Sequence, residues 1–428
     1  MKRIIKISVL ALLLACVAAI AALYWMGTRD DTSTGRPADP AEAGRQVEQG
    51  RYLARLGNCM ACHTTQGGKA YAGGTAIPTR FGTLYGPNIT PDPRTGIGQW
   101  SADDFWQALH NGKSKDGSLL YPAFPYTEYT RMSRADSDAL YAYLRTVEPV
   151  EQPSRAHELD FPYNQRGLLA FWRALYFSPG VLEPDPGEPV PWNRGRYLVE
   201  GLGHCAACHA PRNSLGATRA QDGLSGGFID GLDWYAPPLD NAPGTGLGHW
   251  NAHDIAQLLQ TGMARQSTAS GPMAEVVLGS SQFLTDEDAL AIGTYLKSLP
   301  VPAIAAPAQA RAAAPALLEH GGRLYQQHCA ACHQDQGQGI GTAWPALAGN
   351  PTVTAPLAVN AIRMVLNGGY APATAANPRP HGMPPFGPML SDSDIAAVVS
   401  YIRSSWGNQA GAVTAFDVRR VRDASTRN

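Results

Sequence analysis

The chain has 428 residues, enough for roughly three domains of about 150 residues each. Hydrophobic residues make up 44% of it and aromatic residues 8%, which excludes a disordered or collagen-like protein. Lysine and arginine (34) balance aspartate and glutamate (35), and this net charge of -1 leads us to expect no nucleic-acid partner.

The first predicted element is an apolar run near the amino terminus. Residues 7–26 carry no charge and, as a helix, would cross a hydrocarbon layer about 30 Å thick. Basic residues precede the run and two aspartates follow it, so the positive-inside rule leaves the rest of the chain outside the cytoplasm. We interpret residues 1–27 as a membrane anchor, with a cleaved signal peptide and a lipoprotein acylated at Cys16 as open alternatives. The polar, proline-bearing stretch 28–44 is predicted to be a linker.

Six of the seven cysteines form three identical Cys-x-x-Cys-His motifs, which is the attachment signature of c-type haem. Two thiols three residues apart on one helical turn can reach the two vinyl groups of one porphyrin, and the next imidazole then faces the iron. We therefore predict three covalently bound haem c groups. The predicted attachment residues are Cys59, Cys62, Cys205, Cys208, Cys329 and Cys332, and the predicted iron ligands are His63, His209 and His333.

Other uses of paired cysteines fit these motifs less well. A structural zinc site needs four ligands, whereas each motif offers two cysteines and one histidine. A thioredoxin-like redox pair would not need the histidine three times, and a disulfide within Cys-x-x-Cys closes too short a loop to stabilise the fold much.

The repeat extends on both sides of each motif. A short amphipathic stretch opens each unit with a glycine, and a helix with a hydroxyl N-cap closes it; the glycines are Gly50, Gly195 and Gly322, and the caps are Ser133, Thr285 and Ser391. We expect each closing helix to pack against the first helix of its unit. The predicted domains are 45–150, 191–300 and 315–408. Between and after them lie an aromatic, proline-rich connector (151–190), a linker (301–314) and a C-terminal tail (409–428).

The second axial ligand separates electron carriers from haem enzymes. A thioether opposite the histidine gives a six-coordinate electron-transfer haem, whereas an open position favours oxygen or peroxide chemistry. Position within the repeat predicts Met132, Met273 and Met383 as these ligands. The rival methionines are Met60 in the first unit, Met263 in the second, and Met364 and Met389 in the third; Phe124 stands where alignment with Met383 would place sulfur.

A haem-ligating histidine also needs an acceptor for its second ring nitrogen, which fixes the orientation of the ring. Proline residues follow each motif at comparable places in the three units. We predict that the backbone carbonyls of Pro87, Pro237 and Pro345 are these acceptors, although each could also be an ordinary turn proline.

Each unit resembles a small class I cytochrome c domain, and the whole chain resembles the three-haem cytochrome c subunit of bacterial membrane-bound dehydrogenases. That family includes subunits of alcohol, gluconate and molybdenum-type dehydrogenases. The order of the motifs carries the resemblance, together with the segments 85–92, 211–213 and 404–408. It implies an all-α fold of three tandem class I cytochrome c-like domains with loop-rich haem pockets, preceded by one hydrophobic helix.

The resemblance also implies a function. The chain would relay electrons from a catalytic dehydrogenase subunit, which would be a quinoprotein, a flavoprotein or a molybdenum enzyme. The acceptor would be ubiquinone, a terminal oxidase or a soluble cytochrome, at the periplasmic face of a bacterial cell membrane. We expect no catalysis by this chain alone, since it has no nicotinamide fingerprint or P-loop. The alternative is a peroxidase-like or oxygen-reactive haem enzyme, with an open coordination site at the first haem because of Phe124.

Overall fold

The structure, a computed structural model, describes residues 2–32, 43–301 and 311–425. Most of the predicted linkers 28–44 and 301–314, and the end of the predicted tail 409–428, lie outside the described residues. The described helices are α1 (Lys2–Thr28), α2 (Ala43–Leu56), α3 (Cys59–His63), α4 (Ala102–Asn111), α5 (Tyr126–Tyr129), α6 (Arg134–Leu144), α7 (Leu169–Tyr176), α8 (Val190–Tyr197), α9 (Ala206–His209), α10 (Ala252–Thr261), α11 (Pro272–Gly279), α12 (Asp286–Ser298), α13 (Pro315–His328), α14 (Ala330–His333), α15 (Pro351–Thr354), α16 (Val359–Asn367), α17 (Asp392–Ser404) and α18 (Ala415–Ser425).

Short strands accompany these helices, so the described part of the chain is predominantly rather than purely α-helical. They are β1 (Ala76–Thr79), β2 (Gly82–Tyr85), β3 (Glu158–Leu159), β4 (Gly227–Ile229), β5 (Trp234–Ala236), β6 (Met263–Ala264), β7 (Ser267–Thr268), β8 (Gly369–Tyr370) and β9 (Gly382–Met383). All of their ladders are antiparallel, in the orders β1-β2-β3, β4-β5, β6-β7 and β8-β9.

The chain forms two compact units. The first unit is Met1–Ala54 with Cys59–Glu183, and the second is Arg55–Asn58 with Pro184–Asn428. The first unit contains one Cys-x-x-Cys-His motif and the second contains two.

The closing helices begin at the residues that the sequence predicts. The side chains of Ser133, Thr285 and Ser391 cap α6, α12 and α17 by accepting the backbone N–H three residues ahead. These caps satisfy amide groups that have no partner within the helix, which fixes where each helix starts.

The first and closing helices of each repeat cross at a glycine. A β-carbon at Gly50, Gly195 or Gly321 would lie within 3.0 Å of a carbonyl oxygen of the closing helix, so only glycine allows this approach. The facing residues are Ala139 and Tyr143 in α6, Ala291 and Tyr295 in α12, and Ala397 and Tyr401 in α17. In the third repeat the close contact is made by Gly321. Its neighbour Gly322 is the residue that sequence alignment matches to Gly50 and Gly195.

Two stretches set apart as connector and tail contain ordered elements. In the connector 151–190, β3 pairs with β2 at Gly82–Leu159, which extends the sheet of the first predicted domain. In the tail 409–428, α18 buries Val418 and Val421 in the same core as α13, α16 and α17. The folded region of the third repeat therefore continues beyond residue 408.

Candidate functional site

Each Cys-x-x-Cys-His motif forms a short helical turn, and we call these turns site 1 (Cys59, Cys62, His63), site 2 (Cys205, Cys208, His209) and site 3 (Cys329, Cys332, His333). The three histidines share one hydrogen bond. Nδ1 donates to a proline carbonyl oxygen, from His63 to Pro87 (2.7 Å), from His209 to Pro237 (2.7 Å) and from His333 to Pro345 (3.0 Å). Because the proton lies on Nδ1, the lone pair lies on Nε2, as an iron ligand requires.

Burial keeps these imidazoles neutral. It lowers the pKa of His63, His209 and His333, against the opposing effect of the hydrogen bond to the proline carbonyl. The neutral ring is the form that can bind a metal.

Glycine residues let neighbouring backbone approach the turns of sites 1 and 2. A β-carbon at Gly86, next to Pro87, would collide with the carbonyl oxygen of Cys62. At site 2, a β-carbon at Gly227 would lie within 3.0 Å of the carbonyl oxygen of Cys208. The backbone can pass this close to the Cys-x-x-Cys-His turn only where no side chain intervenes.

None of the seven cysteines is paired in a disulfide. Burial, reinforced by the neighbouring thiol, raises the pKa of Cys59 to about 12 and that of Cys329 to about 11. Such thiols are protonated at neutral pH, unlike the low-pKa cysteines of thiol–disulfide redox sites. Among the described residues no group of three or more histidine, cysteine, aspartate or glutamate side chains could hold a metal ion.

Site 3 opens into a cavity with mostly apolar walls. The cavity brings together Cys329, Cys332 and His333 with Met383, which lies in β9. Met364, on α16, also lines it, whereas Met389 does not and is 66% exposed. Two thiols, an imidazole and a thioether on an apolar cavity are the donor set that haem c requires, so these residues fit that cofactor.

In the second repeat, the predicted ligand Met273 lies in the first turn of α11. Gly271 has a positive φ of 53°, and a β-carbon there would lie 2.6 Å from the Trp234 ring. Trp234 begins β5, the strand that leads to Pro237. The segment carrying Met273 therefore packs against the strand that leads to the histidine-orienting carbonyl.

Near site 1, Met132 is fully buried between α5 and α6. Burial raises the pKa of Tyr129, in α5, and the nearby Cys59 and Cys62, when ionised, add to this effect. The Phe124 ring contacts that of Tyr129 at 5.4 Å between centroids. Tyr129 therefore lies beside site 1, Phe124 packs on Tyr129, and the buried Met132 follows Tyr129 by three residues.

One wall of the site 3 cavity was not predicted. The hairpin β6–β7 belongs to the second repeat, yet Met263, Ser267 and Thr268 line the cavity of site 3. The Met263 sulfur accepts a hydrogen bond from Asn377 Nδ2 at 3.1 Å. Met263, the sequence-based rival for the second haem, therefore faces the third site. No local sequence signal indicates this contact, because it joins two repeats.

Comparison with known proteins shows which family these features represent. The cytochrome c family model matches residues 47–148, 193–300 and 318–406, stretches that each contain one Cys-x-x-Cys-His motif.

Individual relatives match the chain over most of its length. The alcohol dehydrogenase (quinone) cytochrome c subunit of Gluconacetobacter polyoxogenes is 42% identical over 399 residues, which covers 88% of this chain and 84% of that protein. The gluconate 2-dehydrogenase cytochrome c subunit of Pantoea cypripedii is 42% identical over 414 residues, covering 91% and 92%. The fructose dehydrogenase cytochrome subunit of Gluconobacter japonicus is 36% identical over 447 residues, covering 96% and 89%. All three are named as cytochrome subunits of dehydrogenases, which is the non-catalytic, electron-transfer kind of subunit that the sequence predicts for this chain. With the family match over three stretches, these relatives show that the chain belongs to the cytochrome c family.

Proposed function

We propose that this chain holds three haem c groups in three cytochrome c domains, at 45–150, 191–300 and 315–408. The cysteines of sites 1 to 3 would form the thioether bonds, and Nε2 of His63, His209 and His333 would ligate the irons. The observation that carries the proposal is the threefold Nδ1 donation to a proline carbonyl, which fixes each ring with its lone pair on Nε2.

Methionine sulfurs would complete the coordination, from Met132, Met273 and Met383. The best support is at site 3, where Met383 and His333 line one cavity. When bound, haem c supplies one-electron transfer at a potential that a thioether ligand raises. The protein contributes the apolar walls, the ring orientation and the exclusion of water.

The haem content can be measured directly. The mature protein should exceed its polypeptide mass by three haem groups, and the pyridine haemochrome should give the same stoichiometry. The double variant Cys329→Ser/Cys332→Ser should lose one third of the haem. A mass without added haem would overturn the proposal, and an unchanged content in the variant would remove site 3 from it.

The electron donor would be the catalytic subunit of a dehydrogenase. The acceptor would be membrane quinone, a terminal oxidase or a soluble cytochrome. Two relatives are named as subunits of an alcohol dehydrogenase (quinone) and a gluconate dehydrogenase, which supports a large oxidoreductase partner. Purification of the complex from membranes, followed by identification of the large subunit and by reduction of the haems with its substrate, tests this role. Haems that stay oxidised when the purified complex turns over would contradict it.

We also propose that α1 is retained as a membrane anchor, with the rest of the chain in the periplasm. Residues 2–28 form one helix long and apolar enough to span a membrane. Domain contacts begin at its last turn: the Gly27 carbonyl accepts from Arg173 Nε at 2.7 Å, and Lys113 Nζ donates to the Thr28 carbonyl at 2.8 Å.

Asp31, three residues after the end of α1, also bonds to the domain. The Asp31 carboxylate lies 3.0 Å from Nε2 of the fully buried His110, and Asp31 exchanges two backbone–side-chain hydrogen bonds with Asn111. Signal-peptide cleavage at the polar edge of α1 would cut through this network. Amino-terminal sequencing and intact mass of the membrane-extracted protein should show residues 2–28 still present, and a mature chain that begins after them would contradict retention.

A further inference from the structure

Helix α7 exposes apolar side chains where a water-facing helix would carry polar ones. Leu168, just before the helix, is 48% exposed, Leu175 is 60% exposed and Tyr176 is 38% exposed. Leu168 and Leu175 are seven residues apart and therefore lie on one face. Phe171 and Trp172, half-buried, fall between them on the helix surface.

The single charged residue of α7 points into the protein. Arg173 is 2% exposed, and its guanidinium donates to the carbonyl oxygens of Gly27 and Asn111. Leu169 and Ala170 are buried on the same side. The amphipathic pattern of the helix is thus reversed, because its polar group faces the protein and its apolar groups face outward.

The position of α1 sets the height of α7 relative to a membrane. A β-carbon at Gly27 would collide with the Ala170 carbonyl, and the ring of Tyr24 contacts that of Phe171 at 6.0 Å between centroids. With a rise of about 1.5 Å per residue, Tyr24 and Gly27 lie within about one turn of the polar end of the span. Tyr24 and Trp25 lie near this end of the span, and tyrosine and tryptophan are residue types that favour the boundary between lipid and water.

We propose that α7 lies in the boundary layer of the periplasmic leaflet beside α1, with its Leu168–Leu175 face against lipid. The bilayer is what contacts this face, since the face is continuous with the apolar surface of α1, which packs against α7. The proposal rests on the proposed retention of α1. Its consequence is that two elements, the span and α7, hold the first unit at the membrane surface.

Photo-crosslinking in the full-length holoprotein tests this contact. The photoreactive residue p-benzoylphenylalanine replaces Leu168 or Leu175 singly, in proteoliposomes of phosphatidylethanolamine and phosphatidylglycerol and in native membranes. Leu13→p-benzoylphenylalanine in α1 reports the span. Asp103→p-benzoylphenylalanine is the aqueous control, because the Asp103 side chain is 78% exposed. Asp103 lies near the start of α4, whereas Asn111, which contacts Asp31 just after α1, lies at the other end of that helix. The haem absorbance of each variant confirms that it is folded.

After irradiation, mass spectrometry should find phospholipid adducts at positions 168 and 175 in yields similar to that at position 13 and several-fold above that at position 103. Adducts at position 13 alone would overturn the α7 proposal and leave the anchor intact. A missing adduct at position 13 would instead show that the anchor proposal fails. Crosslinks from position 175 to a protein in native membranes, in place of lipid, would identify the face as a subunit contact and overturn the lipid assignment.

Discussion

At the scale of single residues, a close helix crossing depends on one glycine. In the third repeat a β-carbon at Gly321 would lie within 3.0 Å of the Ala397 carbonyl and of the Tyr401 β-carbon, both on the rigid α17. We expect Gly321→Ala to lower the free energy of unfolding by about 1–3 kcal/mol, the usual cost of overpacking a core. Chemical denaturation followed by circular dichroism measures this change.

The neighbouring glycine provides a matched control. A β-carbon at Gly322 would lie 3.2 Å from the edge of the Tyr401 ring, which can shift. Alanine also favours a helix over glycine by about 1 kcal/mol. Gly322→Ala should therefore be close to neutral, and equal losses in the two variants would contradict the crossing described here.

The sulfur of Met383 can be tested with a variant of similar volume. Met383→Leu removes the thioether while filling the same space, and loss of a thioether ligand lowers a haem potential. We expect one of the three midpoint potentials to fall while the other two stay unchanged in a spectroelectrochemical titration. Met389→Leu, at a 66% exposed position outside the cavity, should change none. If Met383→Leu leaves all three potentials unchanged, Met364 or Met263 in the same cavity becomes the ligand to examine.

Met132 requires a separate test because Phe124 occupies the place of a methionine in the repeat. Met132→Leu should lower one midpoint potential, different from the one that Met383→Leu lowers. Met60→Leu, on the attachment turn, is the control. Unchanged potentials in Met132→Leu would show that this fully buried side chain belongs to the core and not to the first haem.

At the scale of elements, the start of α17 links stability to pH. The Asp394 carboxylate accepts from the Ser391 hydroxyl at 2.6 Å and from His320 Nε2 at 2.7 Å, and these hydrogen bonds, that of Ser391 first, lower its pKa. Since the folded-state pKa lies below the unfolded one, the stabilisation is complete at neutral pH and disappears as pH falls through the folded-state value.

Asp394→Asn should therefore lose about 1 kcal/mol of unfolding free energy at pH 7, a typical cost for helix-capping groups. The difference from the unsubstituted protein should shrink below pH about 4, where the unfolded carboxyl becomes protonated. Urea unfolding of the variant and of the unsubstituted protein over a pH series measures this difference in unfolding free energy. Glu183→Gln, at an exposed position, is the control. A difference that does not vary with pH would show that the carboxylate charge is not responsible.

The elements that the sequence predicts well are those with local signals. The caps at Ser133, Thr285 and Ser391 are confirmed, because a hydroxyl and an acidic residue just before an apolar helical pattern form a local signature of a helix N-terminus. The role of Gly321 at the crossing was not predicted, since it is adjacent to the aligned Gly322 and only the three-dimensional crossing distinguishes the two. The β6–β7 wall of site 3 was not predictable, because it depends on contacts between residues of two repeats.

At the scale of the whole second unit, its two repeats are joined through the backbone of β5. Asn360, on α16 of the third repeat, is 4% exposed. Its Oδ1 accepts from the Tyr235 N–H at 2.9 Å, and its Nδ2 donates to the Tyr235 carbonyl at 2.6 Å. Tyr235 lies two residues before Pro237, whose carbonyl orients His209. A side chain of the third repeat therefore holds the strand that sets the geometry of site 2.

Asn360→Ala would leave two buried backbone groups of Tyr235 without their partner, at a cost of about 1–3 kcal/mol each. Because those groups belong to the second repeat, we expect the midpoint potential assigned to site 2 to shift, together with a lower unfolding temperature. The site is assigned from the potential that Met273→Leu changes. Asn367→Ala, on the same helix but bonded to Ser425, is the control and should leave that potential in place. A loss of stability without a change at site 2 would mean that Asn360 joins the repeats but does not position the histidine-orienting strand.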